Sequence, residues 1–166
     1  MILIFNNYRN RNHSQMKNNR SRYRAQQNSH GFDCGPEPFI ANIDDITVEN
    51  NNYRTTVWTG DHMQLTLMSI IPGGDIGLEV HPDVDQFFRV EEGEGLVMVG
   101  SRQDRLEYQA RIEDDFAFIV PAGKWHNVIN TGDIPLKLYT IYAGPDHVVG
   151  TVHKTHQDAI DDPNEH

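Results

Sequence analysis

The sequence lacks a second cysteine, any long apolar run and, over residues 1–30, any acidic side chain. Cys34 is the single cysteine, which excludes an intrachain disulfide and a cysteine-based zinc site, so a metal ion would need histidine and carboxylate ligands. No apolar run approaches the roughly 18 residues that cross a bilayer. The Met1–Phe5 segment is too short for a secretory signal and has no basic residues before it. We therefore expect a soluble, cytoplasmic protein that does not enter a membrane.

Charge is distributed unevenly over the 166 residues, a length typical of one domain. Residues 1–30 carry a charge of +6, so the net charge of −10 leaves −16 on residues 31–166. The basic segment has too few aliphatic side chains to fold. We predict a disordered basic tail over residues 1–35, a barrel domain over residues 36–150 and a C-terminal tail over residues 151–166. The basic tail is either a solvated extension, which we favour, or a segment that binds nucleic acid or another polyanion.

Short β-type runs follow residue 45, separated by turn sequences at intervals of about ten residues, which is typical of a sandwich or barrel. Only residues 154–160 favour a helix. The runs cover residues 54–59, 64–71, 77–81, 86–92, 96–99, 106–110, 116–120, 126–130 and 136–142. Because so many antiparallel strands need closure or a second sheet to protect their edges, we predict an all-β, double-sheet barrel.

Polar side chains that suit metal binding occur at two places in this pattern. Glu79 and His81 are two residues apart in an apparent strand, so they leave the same face of the sheet. Gln86 begins the next strand, and His126 follows a proline-glycine turn about forty residues later. The Glu79 and His81 pair could hold a metal ion, form a hydrogen-bonded pocket without metal, or lie on a solvated outer face.

The spacing of these residues resembles that of the cupin family. The first cupin motif is His/Glu-x-His, four residues, Glu/Gln, six residues, Gly, and the second is Pro-x-Gly-x-x-His-x-x-x-Asn. Here the motifs are matched by Glu79, His81, Gln86 and Gly93, and by Pro121, Gly123, His126 and Asn130. The resemblance covers roughly residues 46–145 and is strongest to small single-domain cupins of the mannose-6-phosphate-isomerase-like type. It implies a double-stranded β-helix, a jelly-roll-like barrel with one divalent metal inside.

Two positions depart from the usual cupin ligands. Glu79 stands where the first histidine is usual, and Gln86 stands where the glutamate is usual. Each ligand set contains one carboxylate, so the exchange keeps a charge of +1 with a divalent ion. The resemblance implies that Glu79, His81, Gln86 and His126 bind Fe, Mn, Zn, Ni or Co.

Three further residues are candidates for the wall of a substrate pocket. Phe88 faces the same side of its strand as Gln86, although packing in the core is the alternative. Lys124 alternates with His126 and meets either an anionic substrate or solvent. Tyr139 lies in the last long strand, where it is either a proton donor or a core residue.

The segment after residue 143 adds His147, His153 and His156, whose spacing matches no known ligand pattern, so we expect surface histidines. Its valines, Val148, Val149 and Val152, indicate packing across a barrel mouth or a dimer partner.

Together these features predict a metal-dependent enzyme acting on a small oxygenated molecule: a sugar, sugar phosphate or keto or hydroxy acid. An isomerase-like or dioxygenase-like reaction fits a metal that polarises a carbonyl or hydroxyl group. The alternative is a non-catalytic cupin that binds a small ligand or has a structural role at a spore or other surface. We expect a homodimer.

Overall fold

The structure, a computed structural model, describes residues 33–165. Within this range it contains two helices and ten strands, numbered here in chain order. They are α1 (Ile43–Glu49), β1 (Arg54–Thr59), β2 (Gln64–Ile70), β3 (Glu79–Val80), β4 (Gln86–Glu92), β5 (Glu94–Gly100), β6 (Tyr108–Glu113), β7 (Ala117–Val120), β8 (Trp125–Asn130), β9 (Leu136–Tyr142), β10 (Val152–His153) and α2 (His156–Asp161). No helix of the described range is long and apolar enough to cross a membrane.

The strands form two antiparallel sheets with a common core between them. The larger sheet has the order β10-β1-β2-β9-β4-β7, and the smaller sheet has the order β3-β8-β5-β6. Apolar side chains from both sheets fill the interior, among them Met68, Ile70, Phe88, Val90, Val97, Ile112, Val128, Leu136 and Leu138. This architecture confirms the predicted all-β, jelly-roll-like barrel.

Strand β4 shows how alternation in the sequence separates the two faces of a sheet. Gln86, Phe88 and Val90 are buried at every second position and face the barrel interior. Arg89 faces away, and its guanidinium lies 3.0 Å from the Glu91 carboxylate and 2.5 Å from that of Asp115. The alternation therefore brings the Gln86 amide inside.

Helix α1 contradicts the expectation that only residues 154–160 are helical. Its seven residues make about two turns, too few to display a sustained helical period in the sequence. Ile43 and Ile46, three residues apart, pack with Val57 and Leu67 in a second apolar cluster on the outer side of the larger sheet.

The barrel begins earlier than predicted. The expected disordered tail ended at residue 35, but Asp33 and Cys34 are buried. The Asp33 carboxylate accepts hydrogen bonds from the backbone N–H of Thr59 at 3.0 Å and from its hydroxyl at 2.6 Å. The rest of the predicted tail, residues 1–32, lies outside the described residues.

The prediction of a separate C-terminal tail over residues 151–166 is wrong, because the described part of this segment belongs to the barrel. Strand β10 pairs with β1, which places His153 opposite Arg54. Helix α2 follows and confirms the helix expected near residue 154. It begins with a capping box, in which Thr155 and Asp158 each accept a hydrogen bond from the other's backbone N–H.

Candidate metal centre

Three of the predicted ligand residues lie together at one end of the smaller sheet. Glu79 on β3 is directly opposite His126 on β8. The Glu79 Oε1 atom lies 3.2 Å from His126 Nε2 and 3.4 Å from His81 Nε2. Each of the three side chains offers one ligand atom within 4.8 Å of the others, so they are a candidate metal-binding group.

The turn before β8 holds this group in place. Gly123 has φ +76°, a left-handed conformation that side-chain-bearing residues rarely adopt. The Lys124 N–H closes the turn by donating to the Pro121 carbonyl oxygen at 3.2 Å, while the Gly123 N–H donates to the His81 carbonyl oxygen at 2.8 Å. The proline-glycine motif therefore fixes His126 relative to the segment that carries His81.

The His126 imidazole has one nitrogen that is paired and one that is free. Nδ1 lies 3.1 Å from the Lys124 carbonyl oxygen, to which it can donate only when it carries the proton. In the neutral imidazole this tautomer keeps a lone pair on Nε2. That nitrogen is buried, lies 3.2 Å from Glu79 Oε1 and has no partner in good hydrogen-bond geometry. An unpartnered buried nitrogen beside a carboxylate is the arrangement that a metal ion would satisfy.

Gln86 supplies a second buried atom without a partner. Its amide Nε2 donates to the Thr140 hydroxyl at 3.0 Å. The carbonyl Oε1 is buried and accepts no hydrogen bond. Gln86 thus has a neutral oxygen without a hydrogen-bond partner inside the barrel.

His81 is held between two carboxylates. Its Nε2 faces Glu79, and its Nδ1 lies 3.1 Å from Asp146 Oδ1. Burial lowers the pKa of His81, but hydrogen bonds to Asp146 and Glu79 outweigh it and raise that pKa to about 9. Burial likewise opposes ionisation of Glu79, yet contacts with His126, His81 and Arg54 hold its pKa well below the usual range. Glu79 is therefore an anion at neutral pH.

The opposite side of the site is a buried ion-pair network that sequence analysis missed. The Arg54 guanidinium on β1 pairs with the Glu165 carboxylate and lies 4.0 Å from Glu79 Oε2. His147 Nδ1 lies 2.9 Å from Glu165 Oε1, and its Nε2 lies 3.0 Å from the Tyr142 hydroxyl. A cavity of about 260 Å³ separates the two sides and is lined by Glu79, Val80, His81, Pro82, Asp146, His147 and Glu165.

The histidines after residue 143 are more buried than expected. His147 is 7% and His153 is 4% exposed, whereas Val148 and Val149 are exposed. His156 is half-buried and stacks on a tyrosine ring, with 4.8 Å between ring centroids. The expectation of surface histidines is wrong for His147 and His153, because hydrogen bonds to carboxylates hold their imidazoles inside.

The three candidates for the pocket wall lie in different parts of the barrel. Phe88 lies within the core, edge-on to the His126 ring at 5.9 Å between centroids, so it forms a wall behind that histidine. Lys124 has an exposed side chain, so it contributes to the site only through its backbone N–H and carbonyl oxygen. Tyr139 is a packing residue and not part of the pocket wall, because it packs with the second apolar cluster on the outer side of the larger sheet. Tyr142, on the opposite face of the same strand, instead meets the His81 ring edge-on, with 5.4 Å between ring centroids.

One signal in the sequence points to the missed residues. Arg54 begins a β-type run that otherwise contains threonine, valine and tryptophan, and such a strand is expected to be buried. A buried arginine requires an anionic partner. Its partner lies 111 residues away, so the pair itself has no local signature.

Comparison with known proteins agrees with the fold. Residues 66–142 match the cupin domain. The chain is 58% identical over 128 residues to the uncharacterized protein YrkC of Bacillus subtilis, covering 77% of this chain and 69% of the relative. It is 37% identical over 115 residues to the uncharacterized protein L612 of Acanthamoeba polyphaga mimivirus, covering 69% of this chain and 70% of that protein.

Solved structures with a similar fold agree with these sequence matches. The crystal structure of BH2720 from Bacillus halodurans is 58% identical, with a TM-score of 0.78 over 79% of this chain and 99% of that one. The cupin domain of Schizosaccharomyces pombe Cnp3, at 18% identity and a TM-score of 0.50 over 55% of this chain and 64% of that one, shares the fold alone. From the barrel, the matched domain and these relatives, the chain belongs to the cupin family.

Proposed function

We propose that the protein binds one divalent transition metal in the barrel and acts there on a small oxygenated molecule. The proposed ligands are Glu79, His81, Gln86 and His126. The observation that carries the proposal is the pair of buried atoms without hydrogen-bond partners, His126 Nε2 and Gln86 Oε1. Buried polar atoms are nearly always paired, and a cation beside Glu79 would satisfy both.

The donor atoms suit a first-row transition metal. Two imidazole nitrogens, one carboxylate and one amide oxygen match the preferences of Fe, Mn, Zn, Ni and Co, and leave positions open for a substrate. Ligands that each lie about 2.1 Å from one ion are separated by roughly 3.0 to 3.5 Å. The 3.2 and 3.4 Å separations from Glu79 Oε1 to the histidine nitrogens fall in this range.

A bound metal would act as a Lewis acid toward a carbonyl or hydroxyl oxygen. The chain's own residues orient its ligands. Asp146 accepts from His81 Nδ1, and the Lys124 carbonyl accepts from His126 Nδ1, so each imidazole presents Nε2 to the site. Phe88 covers the inner side of His126 and keeps water away from it.

The size of the cavity favours the smallest of the candidate substrates. At about 260 Å³ it is below the roughly 300 to 1,000 Å³ of pockets that hold drug-sized ligands. A keto or hydroxy acid of a few carbon atoms fits this volume better than a sugar phosphate. An isomerase-like or dioxygenase-like reaction on such an acid is the enzymatic form of the proposal.

The metal content of the protein tests the proposal. Protein purified without chelators should contain close to one transition metal per chain by plasma emission spectrometry. Chelator-treated protein should take up about one equivalent of Zn, Mn, Fe(II) or Ni in titration calorimetry. Folded protein that refuses all four metals would overturn the proposal, and metal-loaded protein that neither binds nor converts keto or hydroxy acids would favour the structural alternative.

A further inference from the structure

The Arg54 guanidinium is buried beside the candidate metal ligands. Its side chain is 4% exposed, and β1 holds it next to Glu79, whose Oε2 lies 4.0 Å away. A buried guanidinium is stable only with an anionic partner. That partner is Glu165, which comes from the segment after α2 rather than from a neighbouring strand.

The Glu165 carboxylate is bound by two donors, the Arg54 guanidinium and the His147 imidazole, which together are called the cradle here. One oxygen pairs with Arg54, and the other lies 2.9 Å from His147 Nδ1. The Tyr142 hydroxyl lies 3.0 Å from His147 Nε2 and is the hydrogen-bond partner of that nitrogen. Because an ionised carboxylate only accepts hydrogen bonds, His147 Nδ1 is the donor toward Glu165.

We propose that Arg54 and His147 form a carboxylate-binding subsite of the cavity, in which the Glu165 side chain occupies the place of a ligand's carboxylate. This inference rests on the proposed function and narrows its substrate class to small carboxylic acids. The acid's carboxylate replaces Glu165 on the two donors. Its carbonyl or hydroxyl oxygen then points toward Glu79, His81 and the metal that they would hold.

Charge complementarity supports a carboxylate over a neutral ligand. When a divalent ion is held by the lone pairs of neutral imidazoles, the carboxylates of Glu79, Asp146 and Glu165 balance the charges of Arg54 and that ion. Departure of Glu165 from the cradle leaves a net charge of +1, which a monocarboxylate neutralises and a neutral sugar does not. A buried, uncompensated positive charge is unfavourable, so the cradle selects an anion in exchange for Glu165.

The first test compares Glu165→Gln with Asp161→Asn. Both variants remove one negative charge from the same segment, but Asp161 is exposed on α2, away from the cradle. Titration calorimetry with glycolate and its uncharged analogue glycolamide is performed on zinc-loaded protein at constant ionic strength. We expect the Kd for glycolate to be at least tenfold lower in Glu165→Gln than in wild type or Asp161→Asn, with the affinity for glycolamide unchanged.

A second variant identifies the donor. Arg54→Gln added to Glu165→Gln should abolish the gain in glycolate affinity, whereas Arg102→Gln, at an exposed arginine, should retain it. If the variant with Arg54→Gln does not fold, the comparison of Glu165→Gln with Asp161→Asn still tests whether a ligand's carboxylate can replace Glu165. Equal glycolate affinity in wild type and both single variants would make Glu165 a permanent structural partner and overturn the subsite, as would an equal gain for glycolamide.

Zinc stoichiometry, measured for every variant, keeps the two proposals apart. Wild-type protein without zinc contradicts the metal proposal. The ratio of glycolate affinities, repeated on the zinc-free protein, then tests the cradle independently, because Arg54 and His147 are not metal ligands in this proposal.

Discussion

Two groups of histidine and carboxylate side chains lie close to Arg54. In each group the potential ligand atoms are within 4.8 Å of one another, so distance alone does not distinguish them. The first group is Glu79, His81 and His126, and the second is His153, Asp162 and Glu165.

The groups differ in what already neutralises their carboxylates. In the second, the Asp162 carboxylate lies 3.0 Å from His153 Nε2, and both oxygens of Glu165 are taken by Arg54 and His147. His153 Nδ1 has no partner, but it has no free carboxylate beside it to attract a cation. In the first group Glu79 faces His126 Nε2, a buried nitrogen without a hydrogen-bond partner. Clustering of ligand-type residues is therefore a weaker indicator than the pairing state of each atom.

The largest expected effect comes from removing one histidine from each group. His126→Ala should reduce bound metal from about one per chain to near zero, because it deletes a proposed ligand. His153→Ala should keep the metal and instead lower stability by about 1 to 3 kcal/mol, since a buried hydrogen-bonded group is lost. Plasma emission spectrometry and thermal unfolding measure the two effects. Loss of metal from His153→Ala with retention in His126→Ala would reverse the assignment of the two groups.

A smaller effect is expected when a carboxylate of each group is neutralised. Glu79→Gln removes the negative charge among the proposed ligands and should weaken metal binding by about tenfold or more. Asp162→Asn, the matched change in the second group, should alter metal affinity by less than about twofold, since Asp162 is not a proposed ligand. Competition with a chromophoric chelator gives both affinities. Equal affinities in wild type and Glu79→Gln would show that Glu79 is not a ligand.

The sequence predicts the first group because its members lie in short motifs. Glu79 and His81 share a strand face, and the proline-glycine turn places His126 on the neighbouring strand, so local spacing encodes their meeting. The Arg54 network depends on the pairing of β1 with β10 and on the path of the chain to Glu165. Such pairings are set by packing over the whole barrel, which periodicity along one strand does not report.

The same distinction holds for the fold. Strands with turn residues between them were predictable as a barrel because each carries its own alternation and boundary signals. Tyr139 was misassigned because β9 is buried on both faces, with α1 covering the outer one, so alternation could not tell inside from outside. The short helix α1 gives no periodic signal of its own.

The thermal stability of Gln86→Glu tests whether Gln86 lies beside the metal proposed for the first group. Without metal, the new carboxylate is buried where the Gln86 carbonyl has no hydrogen-bond partner, so metal-free protein should melt several degrees lower than wild type. Added zinc should restore the midpoint, because a cation neutralises the charge and stabilises the folded state by mass action. Thermal unfolding with and without zinc measures the difference. A midpoint that zinc does not raise would place Gln86 outside the metal's reach.

The smallest effect is expected at the N-terminal boundary. Deletion of residues 1–30 should leave the midpoint and the metal content unchanged, since this segment has little apolar surface to bury. Deletion through Cys34 should lower the midpoint by about 3 °C or more, because it removes the buried Asp33 carboxylate that accepts from the N–H and hydroxyl of Thr59. Thermal unfolding followed by circular dichroism gives the midpoints of both truncations and of the full chain. A fall of more than a few degrees already in the shorter deletion would mean that residues 1–30 dock on the barrel, and the boundary between tail and domain would then lie upstream of Asp33.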